Sequence, residues 1–331
     1  MLRVGINGFG RIGRATFRAF LNREGCSVVA INDLSPPEIL LHLLKYDSVH
    51  GPFPKSLSLQ NQNLHVGEQK VKFLSQANPS ELPWKDLNVD VVVEATGRFT
   101  DTQALQQHIQ AGAKFVILSA PAKSGDLPTL VLGVNDHILN GIGPLVSNAS
   151  CTTNCLAPMV KVLDDNFGLE RGYITTVHAY TADQRLLDGP HTDLRRARAA
   201  TQSMIPTSTG AAKAVGKVLP HLEGKLDGLA IRVPVPDGSL TDLVATLKTT
   251  PSVKEVQKAF QKAAKSSLKG ILAYNEDPIV SADIVGNTHS CIFDADLTAV
   301  SESMVKVIGW YDNEVGYSHR IADLVSRIGN K

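Results

Sequence analysis

The chain has 331 residues, more than one hydrophobic core usually serves, so two domains are expected. Its 33 basic and 32 acidic residues leave a formal charge of +1, which gives no global reason for a membrane or nucleic-acid partner. Cys26, Cys151, Cys155 and Cys291 form neither a disulfide framework nor a metal motif, and with no leader or spanning apolar run visible the reading is a cytoplasmic protein without a metal.

In chain order, Leu2-Arg3-Val4-Gly5-Ile6 reads as a short strand, followed by Gly8-Phe9-Gly10-Arg11-Ile12-Gly13 and a helical stretch from Arg14 to Leu21. Between a strand and a helix, such glycines allow a tight turn and close approach of the backbone to a pyrophosphate, which meets the helix N-terminus. A second strand, Ser27 to Asn32, ends in Asp33, where a carboxylate would meet an adenosine ribose. Together they predict a dinucleotide site. Strand-like runs at Val89 to Glu94, Lys114 to Ser119, Leu130 to Val134 and Pro144 to Ser147 alternate with helical patterns such as Pro37 to Tyr46 and Thr102 to Ala111. The alternation predicts a Rossmann-type, doubly wound parallel sheet over residues 1–150.

The segment Ser147-Asn148-Ala149-Ser150-Cys151-Thr152-Thr153-Asn154-Cys155 sets a thiol among small polar side chains, directly before a helical pattern at Leu156, Val160, Leu163 and Phe167. Amides at a helix N-terminus favour a thiolate, which makes Cys151 a candidate nucleophile; a small buried hydrophobe is the alternative. Cys155 shares its helical face, so oxidation could bridge the two. Pro158 is expected to kink this helix.

Longer extended runs dominate residues 151–313: Tyr173 to Thr181, Leu229 to Val235, Leu240 to Thr249, Ser290 to Leu297 and Met304 to Asp312. They predict an α+β domain with a mostly antiparallel sheet, including a helix from Ser252 to Leu268 opened by a Ser252/Glu255 capping box. A last helix, about Glu314 to Ile328, carries apolar residues at helical spacing and is expected to dock back, in the segment 314–331, on the first domain. A thiolate beside a dinucleotide implies addition to an aldehyde, hydride transfer and a thioester. That chemistry needs a base. His178 is a candidate, but among ten histidines spacing does not single it out.

The motifs INGFGRIGR, SAPAK, SNASCTTNC, VHAYT, DLRRARAA, STGAAKAV, RVPVP and WYDNE together resemble phosphorylating glyceraldehyde-3-phosphate dehydrogenases, from Arg3 to Leu324. The resemblance implies Cys151 as nucleophile, His178 as base, and NAD held by Gly8, Phe9, Gly10, Arg11, Ile12, Asp33, Thr96, Ser119, Asn313 and Tyr317. It implies Thr181 and Arg232 on the substrate phosphate, and Ser150, Thr152, Thr209 and Gly210 on the attacking inorganic phosphate. The implied reaction, of glycolysis and gluconeogenesis, converts D-glyceraldehyde 3-phosphate to 1,3-bisphosphoglycerate in a homotetramer. An arginine fork suits a phosphate monoester, and Ser208-Thr209-Gly210 opens a helical stretch where an anion can sit.

The chain departs from the family pattern in three places. Gln76 and Ala77 stand where an arginine is usual near the adenine, Val315 replaces a tryptophan after WYDNE, and Gly189-Pro190 lacks the larger residue of an NAD-type Leu-Pro pair. Erythrose-4-phosphate dehydrogenase is the near alternative, and a noncatalytic nucleotide- or RNA-binding protein the distant one. Arg195, Arg196 and Arg198 form only a short basic run without interleaved aromatics, so nucleic acid is not expected.

Overall fold

A computed structural model describes residues 1–329 apart from Asn22 and Gly125. The chain divides into two units between Ala149 and Ser150; Val131–Asp136 groups with the second unit, and the segment from Ser318 onward returns to the first.

The first unit holds β1 (Leu2–Asn7), β2 (Cys26–Asn32), β3 (Leu57–Gln60), β4 (Asn63–Val66), β5 (Gln69–Leu74), β6 (Val91–Glu94), β7 (Phe115–Leu118) and β8 (Leu145–Ser147), with α1 (Arg11–Phe20), α2 (Pro37–Lys45) and α3 (Thr102–Gln110). They form one sheet in the order β3-β4-β5-β2-β1-β6-β7-β8, parallel from β5 to β8. All four residues of β6 are buried, as expected of a parallel strand covered on both faces. The antiparallel β3-β4-β5 ribbon lies in a stretch whose short, polar alternation gave no strand signal. One expectation fails outright: Leu130 to Val134 is not a strand. After an isolated bridge from Thr129 to Ser147 the chain turns, with the Val131 amide donating to Asn135 Oδ1 at 2.9 Å and Gly133 at φ +82°. These buried apolar side chains pack from a loop, and glycine is the residue that the left-handed turn tolerates.

The second unit contains α4 (Cys151–Phe167), β9 (Leu169–Ala179), β10 (Ile205–Ser208), α5 (Ala211–Val218), β11 (Leu226–Val233), β12 (Ser239–Leu247), α6 (Val253–Lys265), β13 (Leu272–Asn275), β14 (Cys291–Ser301) and β15 (Met304–Tyr311). Its sheet runs β10-β11-β9-β12-β15-β14-β13 and is antiparallel except for the β11–β9 and β13–β14 pairs. Helix α4 continues through Pro158 to Phe167, although proline lacks the amide that the helical ladder would use there. The Ser252/Glu255 capping box is present, and Phe260 of α6 stacks on Phe293 of β14 at 3.9 Å. The last helix, α7 (Val315–Gly329), buries Ile321, Leu324, Val325 and Ile328; within the first unit Asp323 pairs with Arg23 at 2.6 Å.

Candidate active site

In the first unit, Asn7, Gly8, Gly10, Asn32, Asp33, Gln76, Ala77, Thr96 and Arg98 are among the residues lining a cleft of about 270 Å³. Its floor is the C-terminal edge of β1, β2 and β6, where an open α/β sheet offers its ligand crevice. Gly8 sits at φ +93°, and a Cβ there would lie 2.7 Å from the backbone of Ala95 and Thr96; a Cβ on Gly13 would lie 2.1 Å from Gly8 O. The turn therefore requires glycine at both places. Gly10 opens α1 without a side-chain cap and has free space around its Cα, so backbone amides face the cleft where a pyrophosphate would lie. Asp33 accepts from the amides of Phe9 (2.8 Å) and Ser35 (2.9 Å), which hold its carboxylate at the end of β2. These residues fit a dinucleotide.

Not every nucleotide-site candidate contributes a side chain to this cleft. Phe9 packs its ring in the core against Phe17 and Phe73, leaving its backbone to the turn. Arg11 pairs with Asp47 at 2.7 Å, and Ile12 lies in the first turn of α1. Ser119 follows β7, its amide bound to Glu94 O at 2.9 Å. Gln76 and Ala77 do line the cleft, and an arginine is supplied there by Arg98, which no motif in the sequence marks.

In the second unit, Cys151 is the first residue of α4, with Ser150 as N-cap, its Oγ accepting from the Thr153 amide at 3.0 Å. Register places His178 of β9 directly beside Arg232 of β11. Cys151 Sγ lies 3.5 Å from His178 Nε2, and His178 Nδ1 lies 2.7 Å from the carbonyl of Ala179. A carbonyl only accepts and lies nearer Nδ1 than the Arg232 nitrogen at 3.2 Å, so the ring proton is assigned to Nδ1 and Nε2 presents its lone pair to the thiol. One Arg232 amino group is 3.2 Å from His178 Nδ1, from Ala179 O and from Thr181 Oγ1. Cys151, His178, Thr181 and Arg232 thus form one cluster.

Burial pushes the Cys151 thiol up, while Arg232, the Thr152 hydroxyl and the amides of Thr152 and Cys151 pull it down. Burial, and after it the Arg232 cation, pushes the His178 imidazole down. The expected lowering of the thiol by the helix terminus is present but outweighed, because a sulfur at the start of α4 loses more hydration than a few amides restore.

Thr152 departs from its expected part. Thr176 Oγ1 donates to Leu240 O at 3.0 Å, so Tyr311 must donate to Thr176 (2.8 Å) and Thr152 must donate to Tyr311 (2.9 Å). The Thr152 hydroxyl thus also serves Tyr311, besides the pull that it and its backbone amide exert on the Cys151 thiol. Thr209 accepts from the Ala211 amide at 3.2 Å and, with the N-cap Gly210, opens α5, which packs on α4. Asn313 is reached through Ser239, whose hydroxyl donates to Asn313 Oδ1 (2.7 Å) and accepts from the Ala179 amide (3.1 Å). Tyr317 is buried in α7. Arg196 and Arg198 are paired with Asp183 (2.6 Å) and Asp188 (2.9 Å), which removes much of the basic character of that run.

Residues 2–102 match the family profile described as the glyceraldehyde 3-phosphate dehydrogenase NAD binding domain, and residues 150–313 match that of the C-terminal domain. The chain belongs to this dehydrogenase family. It is 56% identical over 335 residues to a glyceraldehyde-3-phosphate dehydrogenase of Mycobacterium avium, covering 99% of this chain and 98% of that one. It is 55% identical to one from Mycobacterium tuberculosis (strain ATCC 25618 / H37Rv), with the same coverage, and 53% identical over 331 residues to glyceraldehyde-3-phosphate dehydrogenase 1 of Streptomyces avermitilis, covering 99% of each chain. NAD is the family's cofactor by the matched domain, and the erythrose-4-phosphate alternative finds no support among these relatives.

Proposed function

We propose that the protein oxidises D-glyceraldehyde 3-phosphate to 1,3-bisphosphoglycerate with NAD and inorganic phosphate, Cys151 acting as nucleophile and His178 as base. One observation carries the assignment: the 3.5 Å approach of Cys151 Sγ to a His178 Nε2 whose other nitrogen is fixed on Ala179 O. Nε2 takes the thiol proton as sulfur adds to the aldehyde and returns it to the new oxygen, giving a thiohemiacetal. Bound NAD supplies a hydride acceptor. Nε2 takes the hydroxyl proton as the thioester forms, and phosphate attack then releases the Cys151 sulfur, which His178 reprotonates.

Arg232 and Thr181 bind the substrate's own phosphate, and the Ser150–Thr152 backbone with Thr209 and Gly210 binds the attacking one. Gly8, Gly10, Asp33 and Thr96 hold the adenosine and pyrophosphate portions beside the backbone of Phe9, Arg11 and Ile12; Ser119, Asn313 and Tyr317 are assigned to NAD on the family resemblance alone. Leu186, Leu187, Leu194 and Met204, exposed on the loop that carries the paired arginines, supply an apolar surface suited to subunit contact in a homotetramer. No helix among the described residues is long and apolar enough to cross a membrane, and the proposed location is the cytoplasm.

NADH absorbance in the presence of phosphate tests the reading. Turnover with glyceraldehyde 3-phosphate and little with erythrose 4-phosphate is expected; the reverse preference, or nucleotide binding without turnover, refutes it.

A further inference from the structure

Beneath the nucleotide cleft lies a chain of buried polar side chains that the reaction itself does not use. Glu94, at the C-terminal end of β6, and His108 of α3 have no solvent exposure. Thr96 directs both its amide (2.8 Å) and its hydroxyl onto Glu94 Oε1. Asn7 Nδ2 (2.6 Å) and His108 Nε2 (3.1 Å) meet Oε2. On the far side, the Trp84 indole donates to His108 Nδ1 at 3.0 Å, which fixes the ring proton on Nε2, pointing at Glu94. On the near side, Asn32 Nδ2 donates to Asn7 Oδ1 at 2.7 Å, and Asn32 Oδ1 accepts from the Gln76 amide at 2.8 Å. Every amide orientation and the imidazole tautomer are therefore determined by their neighbours.

The direction of these bonds gives Glu94 its place. All four donors converge on one carboxyl group, two on each of its oxygens. The residues it holds, Asn7 and Thr96, line the cleft, as do Asn32 and Gln76 further along the chain. Glu94 itself stays below the surface.

We propose that Glu94 is a positioning residue for the dinucleotide: with His108 and Trp84 as its backing, it sets Asn7 and Thr96 in their binding positions before the cofactor arrives. The inference rests on reading this cleft as part of the NAD site. A buried carboxylate suits the task because its oxygens take several donors at once, whereas an amide in its place would turn an N–H against one of the two donor pairs. Turning the Asn7 or His108 group to accommodate that N–H would break the bonds to Asn32 or Trp84.

The test is NAD titration by calorimetry on the purified apo-protein and its Glu94→Gln variant. NAD is expected to bind the variant about tenfold more weakly, equivalent to about 1.4 kcal/mol, because one buried hydrogen bond is misdirected. The KM for NAD should rise alongside while kcat at saturating NAD changes little. Weaker folding of the variant alone, with NAD affinity unaltered, would make Glu94 purely structural and overturn the proposal. The parent supplies a measurement independent of whether Glu94→Gln folds: without NAD, hydrogen exchange at the Thr96 amide should already be slow, and exchange at the open-chain rate would refute pre-positioning. A parent that fails to bind NAD refutes the reading of the cleft instead.

Discussion

Arg232 and His178 occupy paired positions on adjacent parallel strands, with an Arg232 amino group 3.2 Å from His178 Nδ1. The same guanidinium touches Thr181, so one cation serves both the proposed phosphate pocket and the base. Replacing Arg232 by Ala should reduce kcat/KM for glyceraldehyde 3-phosphate by about ten- to a hundredfold through loss of charge-assisted hydrogen bonds, with a much smaller loss for unphosphorylated glyceraldehyde. Equal losses would mean that Arg232 supports structure and does not read the phosphate.

Arg232 also sets a pH response. A cation favours the Cys151 thiolate and disfavours the His178 imidazolium, so it lowers both groups. Its removal must raise both. In Arg232→Gln the rate of Cys151 alkylation by uncharged iodoacetamide should therefore reach half its alkaline limit at a higher pH than in the parent. A midpoint that stays put or falls would show that the guanidinium does not act on the pair.

For His178→Asn, turnover should fall by about a hundredfold or more, because no group remains to move protons between sulfur and oxygen. The alkylation rate of Cys151 near neutral pH is expected to fall as well. Stopped-flow NADH formation and timed alkylation give the two values; a variant retaining near-parental turnover would place the base elsewhere.

Much of this was legible from residue types alone. The glycine turn between β1 and α1, Asp33 at the end of β2 and the thiol at the head of α4 each have a local physical reason, and each lies where its spacing puts it. His178 did not: its pairing with Cys151 depends on β9 lying beside β11 and beneath α4, a long-range relation that spacing along the chain does not contain. The Leu130 to Val134 run looked like a strand because burial, not pairing, selects its apolar residues, and Gly133 was the overlooked breaker. Tyr311 and Thr176, which hydrogen-bond in a chain with Thr152, lie in strands whose sequence signal is hydrophobic. Glu94 had left a trace, a lone acid closing the apolar run Val91-Val92-Val93.

The Thr152–Tyr311–Thr176 chain predicts a contrast between two substitutions. Thr152→Val leaves the Tyr311 oxygen without its donor and should cost about 1–3 kcal/mol of stability, whereas Thr152→Ser keeps the hydroxyl and should cost clearly less. Denaturant unfolding measures both. Equal stabilities would show that the hydroxyl does not serve Tyr311.

Cofactor choice is expected to depend on Asp33, whose carboxylate should accept from the adenosine ribose and repel the extra phosphate of NADP. Gly189 lacks the larger side chain of the NAD-type pair in the family it resembles, so residual activity with NADP is expected. Asp33→Gly should narrow the NAD/NADP ratio of kcat/KM while weakening NAD. It also removes the acceptor of the Phe9 amide, which adds to that loss. A parent that prefers NADP, or a ratio indifferent to the substitution, would contradict this assignment.

The central claim, that Cys151 carries the acyl group, is tested most directly by trapping. The protein is mixed with glyceraldehyde 3-phosphate and NAD in phosphate-free buffer, quenched in acid and digested for mass spectrometry. A hydroxylamine-labile phosphoglyceroyl adduct is expected on the peptide containing Cys151 and should be absent from Cys151→Ser. An adduct on another residue, or NADH formation undiminished in Cys151→Ser, would contradict the account.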